Sequence, residues 1–461
     1  MANNNPDLSS LQSTTYPSNC LQFLEQFRTA EADCHSQIKL KIIIVGAGLG
    51  GLSTAIALAT EGHQVTVYEQ APQLGEVGAG IQIPPNSARL LNKLGVGPYL
   101  AKCATEPEGM TFRRWENGDT IGYTRLIPGF RETFDAPYYV IHRADFHSAL
   151  VQRARDLGIE IKLGCKVTGY DLGNTAIHLE SGDSFGADLV VAADGIKSLA
   201  RPLLEKGAEK PAEKLGFAAY RATVDVDLLK ADPDTAWLLE KPALNIWIGD
   251  KRHVMTYTIG TGKSFNMVLS HWDPRDPATW DQSTALEEMR REFTGWDPRL
   301  TKIIGMIKKT IKWPLVSSPA LTKWFEGNVV VLGDAGHAML PYMSQGAAMA
   351  VEDGAALARA LGKISSTTNT DIQHALSIFE QVRAERTRMM QDASLLNGQL
   401  WHFPDGPLQQ ARDEAMRPET LGIPFSHSPN QWSDPATQMW AYGYDAERAI
   451  DEAFRRRGRN D

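Results

Sequence analysis

Cysteine is scarce in this chain of 461 residues: Cys20, Cys34, Cys103 and Cys165 stand far apart and form no C-x-x-C pair. That pattern argues against a disulfide framework and against a zinc site, and fits reduced thiols in an intracellular, cytoplasmic protein. Long apolar runs are missing as well. No stretch approaches about 18 consecutive apolar residues, so no integral membrane segment is expected. Residues 1–19 are rich in Asn, Ser, Thr and Pro and have no basic segment followed by an apolar one, so they do not read as a secretory signal. Positive charge is in deficit, with 47 Lys and Arg against 55 Asp and Glu and a net charge of -8. Nucleic acid, which wants a basic surface, is thereby disfavoured as a partner. A small anionic substrate is not, because one local arginine is enough to hold it.

What is present begins beyond residue 39. Residues 1–39 read as a partly disordered extension, with a short amphipathic helix expected over Cys20–Gln37 from the spacing of Cys20, Phe23, Leu24 and Phe27. The basic end, Arg455-Arg456-Arg457-Gly458-Arg459, reads as solvated. Between them, Lys39–Val45 is a β-branched apolar run of the kind buried on both faces of a parallel sheet. It enters a G-x-G-x-x-G turn at Gly46, Gly48 and Gly51, followed by a helical pattern stopped at Gly62 and a second strand, Gln64–Tyr68. Gly46 permits the tight turn, Gly48 lets a pyrophosphate approach the backbone, and Gly51 lets the helix pack on the sheet. The helix N-terminus offers N–H groups to phosphate. Glu69, 18 residues past Gly51, ends the second strand where an acid can hold ribose hydroxyls. This motif alone leaves NAD and FAD both open.

Later motifs decide between them. The run Gly75–Ile81 contains Gly80, Pro84-Pro85-Asn86-Ser87 opens a helix, and His142-Arg143-Ala144-Asp145-Phe146 follows. A strand over Asp188–Ala193 ends in Asp194-Gly195, and a strand over Asn328–Leu332 ends in Gly333-Asp334-Ala335-Gly336-His337. With these three hallmarks in order from about Leu40 onward, the chain resembles the FAD-dependent aromatic hydroxylases of the p-hydroxybenzoate hydroxylase fold. Within them it is most similar to the salicylate-hydroxylase-like and fungal secondary-metabolism branch, a likeness that extends to Trp440–Asp445. The resemblance implies that Glu69 holds the adenosine ribose, Gly80 lies near the flavin and Arg143 contacts FAD. It implies that Asp194-Gly195 serves the pyrophosphate and NAD(P)H use, and that Asp334 binds the ribityl chain. The segment Pro341–Ala348 leads into the helix MAVEDGAALARAL, and the resemblance points that helix N-terminus, with Gly346 and Ala347, at the flavin. There a helix dipole favours negative charge on the reduced ring. Ala348 stands where many relatives have Asn; its backbone N–H can serve instead.

Between Gly216 and Trp313 the pattern becomes antiparallel. Strands are expected at Ala218–Val226, Leu244–Ile248, Val254–Ile259 and Phe265–Leu269, separated by turn residues. Gly260-Thr261-Gly262-Lys263-Ser264 looks like the end of a P-loop, but Tyr257 occupies the position where its first glycine belongs, so ATP binding is rejected. Arg221 and Tyr257 are the candidate catalytic residues, at positions that resemble those used by fungal phenol hydroxylases. Arg221 would hold a phenolate or carboxylate, and Tyr257 would bind the phenolic oxygen or help deprotonate it. His253 is a lesser candidate that could simply cap a turn.

The expected fold is α/β: a Rossmann-like FAD/NAD(P)-binding fold with an inserted antiparallel-sheet substrate domain and C-terminal helices. The expected division is 40–213 and 319–365 for the FAD-binding domain, with a substrate-side excursion near 105–140, then 214–318 for the substrate domain and 366–461 for the helical region. The expected activity is hydroxylation of a small phenolic or salicylate-like substrate by a monomer or homodimer. It uses tightly bound FAD, NAD(P)H and O2, with oxygen transferred from a flavin C4a-hydroperoxide and no metal. No second G-x-G-x-x-G holds a resident NAD(P)H, which separates the chain from two-dinucleotide-domain reductases. Two other readings stand beside this one: oxidation of an indole, polyketide or terpenoid intermediate, including epoxidation, and a non-catalytic flavin-binding protein.

Overall fold

The computed structural model describes residues 38–75, 79–206 and 213–457. The helix expected over Cys20–Gln37 lies outside the described residues, as do Glu76, Val77 and Gly78 of the Gly75–Ile81 run. Strand β1, Lys41–Val45, has Ile42, Ile43 and Ile44 buried, as a strand covered on both faces requires. It is central in a six-stranded sheet of order β17-β18-β11-β1-β2-β7. Here β2 is Gln64–Tyr68, β7 Glu160–Lys162, β11 Leu189–Ala192, β17 Phe325–Glu326 and β18 Val329–Val331. Only the β17–β18 pair is antiparallel. Helices α1 (Leu49–Thr60), α2 (Pro85–Lys93), α3 (Arg143–Asp156) and α4 (Gly346–Leu361) contribute to the core around this sheet. Strands β8 (Val167–Asp171), β9 (Ala176–Leu179) and β10 (Ser184–Gly186) form a small antiparallel sheet beside it. The chain is therefore mixed α/β with a parallel dinucleotide-type sheet. No helix among the described residues is long and apolar enough to cross a membrane.

A second, seven-stranded sheet has the order β16-β12-β15-β14-β13-β4-β5. Its strands are β4 (Gly109–Arg114), β5 (Thr120–Arg125), β12 (Glu213–Asp225), β13 (Ala243–Gly249), β14 (Arg252–Ile259), β15 (Ser264–Trp272) and β16 (Ile311–Ser317). All pairings are antiparallel except β13–β4. Strand β12 starts well before Ala218 because a register shift between Lys214 and Phe217 is absorbed at Gly216, whose φ is +71°. The Gly260–Ser264 stretch is the β14–β15 turn, with Gly260, Thr261 and Gly262 all at positive φ. The two-stranded ribbon β3 (Gly80–Ile83) and β6 (Tyr139–His142) is antiparallel, and β6 runs directly into α3.

The C-terminal helices close the molecule. Helix α5 (Asn369–Trp401) packs along α4, α6 (Pro407–Leu421) packs on β5, α7 (Pro435–Tyr442) touches α2, and α8 (Ala446–Arg457) returns to α4 and α5. A buried carboxylate fastens α6. Glu419 accepts hydrogen bonds from the Tyr123 N–H (2.9 Å), Asn430 Nδ2 (3.0 Å) and the Ser428 hydroxyl. Burial dominates over these bonds and raises its carboxyl from the ordinary 4.5 to about 7. The folded state therefore holds this proton more tightly than the unfolded chain. Stability from Glu419 is full below pH 4.5 and is lost as pH rises through about 7, a loss of about 3 kcal/mol. Denaturant midpoints measured from pH 5 to pH 8 should show this decline in the wild type, and Glu419→Gln, which mimics the protonated acid, should flatten it. Equal slopes in the two proteins would refute the assignment.

Candidate active site

The glycine turn after β1 is pressed onto the end of β11. Gly46 has φ +104°, and a Cβ there would lie 2.4 Å from the Ala193 carbonyl oxygen. A Cβ on Gly51 would lie 2.0 Å from the Gly46 carbonyl oxygen, a separation real atoms do not reach. Around Gly48, in contrast, a Cβ would meet nothing within 4 Å, so the backbone there stands open to a ligand. The Glu69 carboxylate braces the turn, accepting from the Ala47 N–H (2.8 Å) and the Ala71 N–H (2.8 Å). Gly51→Ala should cost about 1–3 kcal/mol at this contact and loosen the helix that offers its N–H groups to a phosphate, so FAD affinity should fall about tenfold or more. The flavin-to-protein ratio after dialysis checks this; full retention would contradict it.

A cavity of about 340 Å³ opens beside this turn. Gly48, Leu49, Gly50, Ala193, Gly195, Gly333 and Asp334 border it on the dinucleotide side. The antiparallel sheet supplies the floor by simple strand alternation. On β14 the cavity residues are His253, Met255 and Tyr257; on β15, Val268 and Ser270; on β12, Ala219 and Arg221. Register sets them in rows across three strands: Val268 stands between Arg221 and Met255, and Ser270 between Ala219 and His253. The roof is the Met339–Ala347 segment with Trp401 from the end of α5. Helix α4 begins at Gly346, earlier than the sequence pattern suggested, because Gly346, Ala347 and Ala348 continue the helix without a breaker. No side chain caps its first turn, and Gly346 and Ala347 line the cavity.

The candidates from sequence fall into two groups. Gly48, Gly80, Arg143, Arg221, Tyr257, Asp334, Gly346 and Ala347 line the cavity; Gly46, Gly51, Glu69 and Asp194 shape it from behind. Asp194 accepts from the Tyr170 hydroxyl (2.8 Å) and the Leu199 N–H (2.9 Å) through Oδ2, while its buried Oδ1 has no partner among the described residues. The exposed Asp334 side chain takes no hydrogen bond from the described residues. Gly80 and Tyr257 are in close contact: a Cβ on Gly80 would lie 2.4 Å from the Tyr257 ring, and the Gly80 N–H donates to Asn266 Oδ1 (2.6 Å). Burial raises the Tyr257 phenol above its usual value, and Arg221 and Gln82 offset this only in part. Burial lowers the Arg221 guanidinium. No carboxylate among the described residues pairs with Arg221.

His253 does not cap a turn. It lies within β14, buried, with its Nδ1 2.9 Å from Nε2 of His402. Sequence reading missed His402, Trp401 and Gln82, and it missed the charge cluster behind the roof. Arg383 donates to Glu352 (2.7 Å) and Asp353 (2.8 Å), and Arg386 to Glu352 (3.2 Å), all four side chains being buried. Asp353 Oδ2 also takes the Gly333 N–H (3.0 Å) and meets His337 Nε2 (2.6 Å), which fixes the turn that presents Asp334. Adjacent acids in the apolar MAVEDGAALARAL pattern were the available signal.

These features fit FAD. There is an open glycine backbone for a pyrophosphate, a buried carboxylate oxygen without a partner, a free carboxylate at a strand end, and an uncapped helix N-terminus facing the same space. The combination with a half-apolar sheet floor defines an oxidoreductase that holds a dinucleotide cofactor against a small organic substrate. The chain belongs to the FAD binding domain family, which matches residues 39–393. It is 38% identical over 421 residues to the FAD-dependent monooxygenase OpS4 of Beauveria bassiana (strain ARSEF 2860), covering 90% of this chain and 97% of that protein. It is 36% identical over 362 residues to 6-hydroxynicotinate 3-monooxygenase of Pseudomonas fluorescens, covering 77% of this chain and 90% of that one. A salicylate hydroxylase solved as a substrate complex shares the fold, with a TM-score of 0.73 at 24% identity over 91% of this chain and 98% of that one. The chain is thus an FAD-dependent enzyme of the monooxygenase class, as the sequence motifs implied.

Proposed function

We propose that this enzyme uses NAD(P)H and O2 to hydroxylate a small aromatic compound that carries an anionic group, a phenolate or a carboxylate. The observation that carries the reading is Arg221, a largely buried cation on the cavity floor that no carboxylate of the described protein neutralises. A buried charge is costly unless paired, so the missing partner is a function of the ligand. The flavin supplies reduction by NAD(P)H, activation of O2 and delivery of one oxygen atom. The protein does the rest. Arg221 holds the anionic group by charge-assisted hydrogen bonds. Tyr257, kept protonated by burial, donates to a ring oxygen. Met255, Val268, Leu315 and Trp401 exclude water and pack the ring. Arg143, Asp334 and the α4 N-terminus hold the cofactor, with Asp194 behind it. That 6-hydroxynicotinate 3-monooxygenase is named for a hydroxylated aromatic acid supports the same substrate class here.

The test is oxidation of NADH and of NADPH by the flavin-loaded protein against a panel of phenols, salicylates, hydroxypyridine carboxylates and neutral indoles. One anionic aromatic should accelerate oxidation and give a product heavier by one oxygen atom. Acceleration by neutral indoles alone would transfer the assignment to the indole class, and acceleration by none would remove it.

A further inference from the structure

His253 on β14 and His402, the residue that follows α5, are 149 residues apart in sequence and meet in the fold. Their facing nitrogens, His253 Nδ1 and His402 Nε2, are 2.9 Å apart, so one carries the proton and the other accepts it. The two ring planes lie 27° apart with centroids 5.1 Å apart, the side-by-side arrangement of an in-plane hydrogen bond; Phe217 stacks on His402 at 4.8 Å, and Tyr342 and Trp401 each meet His253 nearly perpendicular. No carboxylate among the described residues pairs with either ring. The charged neighbour that acts on the pair is Arg412 of α6, beside His402. His253 lines the cavity; His402 does not, and it keeps a small exposed surface of 7%. The outer nitrogens, His253 Nε2 and His402 Nδ1, take no hydrogen bond from the described residues, and neither is sealed away from water.

We propose that His253 and His402 form a proton relay that carries the proton of an aromatic hydroxyl from the cavity to solvent. The proposal rests on the phenolic reading of the substrate. In the step, the substrate O–H bond breaks and its proton goes to His253 Nε2. The Nδ1 proton of His253 passes to His402 Nε2, and the Nδ1 proton of His402 leaves to water. One proton enters and one departs, both rings stay neutral, and their tautomers exchange. A proton returning to the product oxygen along the same path resets them. Burial pushes His253 down to about 3 and His402 well below the ordinary imidazole value, so the pair transmits a proton and does not store one. The other polar groups on the floor, Ser270, Arg221 and Tyr257, are unsuited to the task, the Ser270 hydroxyl being too weak a base. Arg221 stabilises the phenolate left behind but has no lone pair to accept a proton, and Tyr257 is already protonated.

The test follows 4-nitrophenol, which colours on ionisation, in the flavin-loaded protein after a rapid jump to higher pH, with no NAD(P)H present. His402→Gln keeps an acceptor for His253 Nδ1 but cannot pass a proton on, and His402→Ala opens space for added imidazole. Both variants should bind 4-nitrophenol with unchanged affinity and form phenolate at least about tenfold more slowly than the wild type, and imidazole should restore His402→Ala. Unchanged rates in both variants, or a normal rate in His402→Gln with a slow His402→Ala, would overturn the relay and leave the phenolic site standing. Failure of the wild type to bind 4-nitrophenol would remove the phenolic reading and the relay with it.

Discussion

Arg221→Met is expected to lower kcat/KM for the anionic aromatic substrate by about two to three orders of magnitude, while the protein itself becomes no less stable. The two effects have one cause. Losing one partner of a desolvated, hydrogen-bonded charge pair costs about 2–5 kcal/mol of binding. In the ligand-free protein the same cation sits on the cavity floor with no acid among the described residues to pair it, so it opposes folding and its removal relieves that cost. Methionine preserves the length of the side chain and its packing. Steady-state kinetics on the best substrate, beside a thermal midpoint without substrate, decide the matter. Because the contact holds the substrate before and during reaction alike, most of the loss should appear in KM. An unaltered kcat/KM would show that Arg221 does not touch the substrate. A marked fall in the midpoint would show that it has a structural partner.

Arg383→Met is expected to do the opposite, cutting stability by about 3–5 kcal/mol and releasing FAD. Arg383 bridges Glu352 and Asp353 in a fully buried cluster, and methionine would leave Glu352 with Arg386 alone and Asp353 with His337 alone. Burial alone would raise the Asp353 carboxyl, but His337 and Arg383 outweigh it and hold the group at about 2. Its folded value lies below its ordinary 3.8, so its contribution is complete above pH 3.8 and disappears as pH falls through about 2. Without Arg383 that downward pull weakens. Asp353 then holds the Gly333 N–H and His337 less firmly, and the turn presenting Asp334 loosens. Denaturant titration and flavin content measured on one preparation test both halves. A stable variant with full flavin content would refute the argument.

The parts of this molecule written in short stretches of sequence were readable there. The strand–turn–helix around Gly46, Gly48 and Gly51, the acid at Glu69 and the alternation that puts His253, Met255 and Tyr257 on one face of β14 need only local periodicity and turn chemistry. The helix start at Gly346 was displaced because Pro341–Ser344 looked like a longer loop; it is a short 3-10 turn ending at Ser344 in the left-handed region. What could not be read depends on which distant segments meet. His402 is invisible as a partner of His253 until α5 has been laid across the cavity. Glu352 and Asp353 find their partners only when Arg383 and Arg386 from another helix are placed against them. The same holds for Glu419, an ordinary helix acid in sequence, which is buried only because α6 lies on β5. That no acid among the described residues stands beside Arg221 is a property of the assembled floor.

The substrate floor is not one continuous stretch of chain. Strands β12 to β16 come from residues 213–317, but β4 and β5 come from 109–125, and they join through the parallel β13–β4 ladder that runs from Ala243–Gly109 to Ile248–Arg114. Anyone wishing to graft the pocket of a relative onto this flavin scaffold must therefore move two separate cassettes together. Exchange of 213–317 alone would ask a foreign β13 to match the native β4 side chain by side chain, and a slip of one residue would turn every apolar group on that edge to the wrong face. Selection of new specificities in such enzymes is accordingly easier by point changes on the inward faces of β12, β14 and β15 than by recombination.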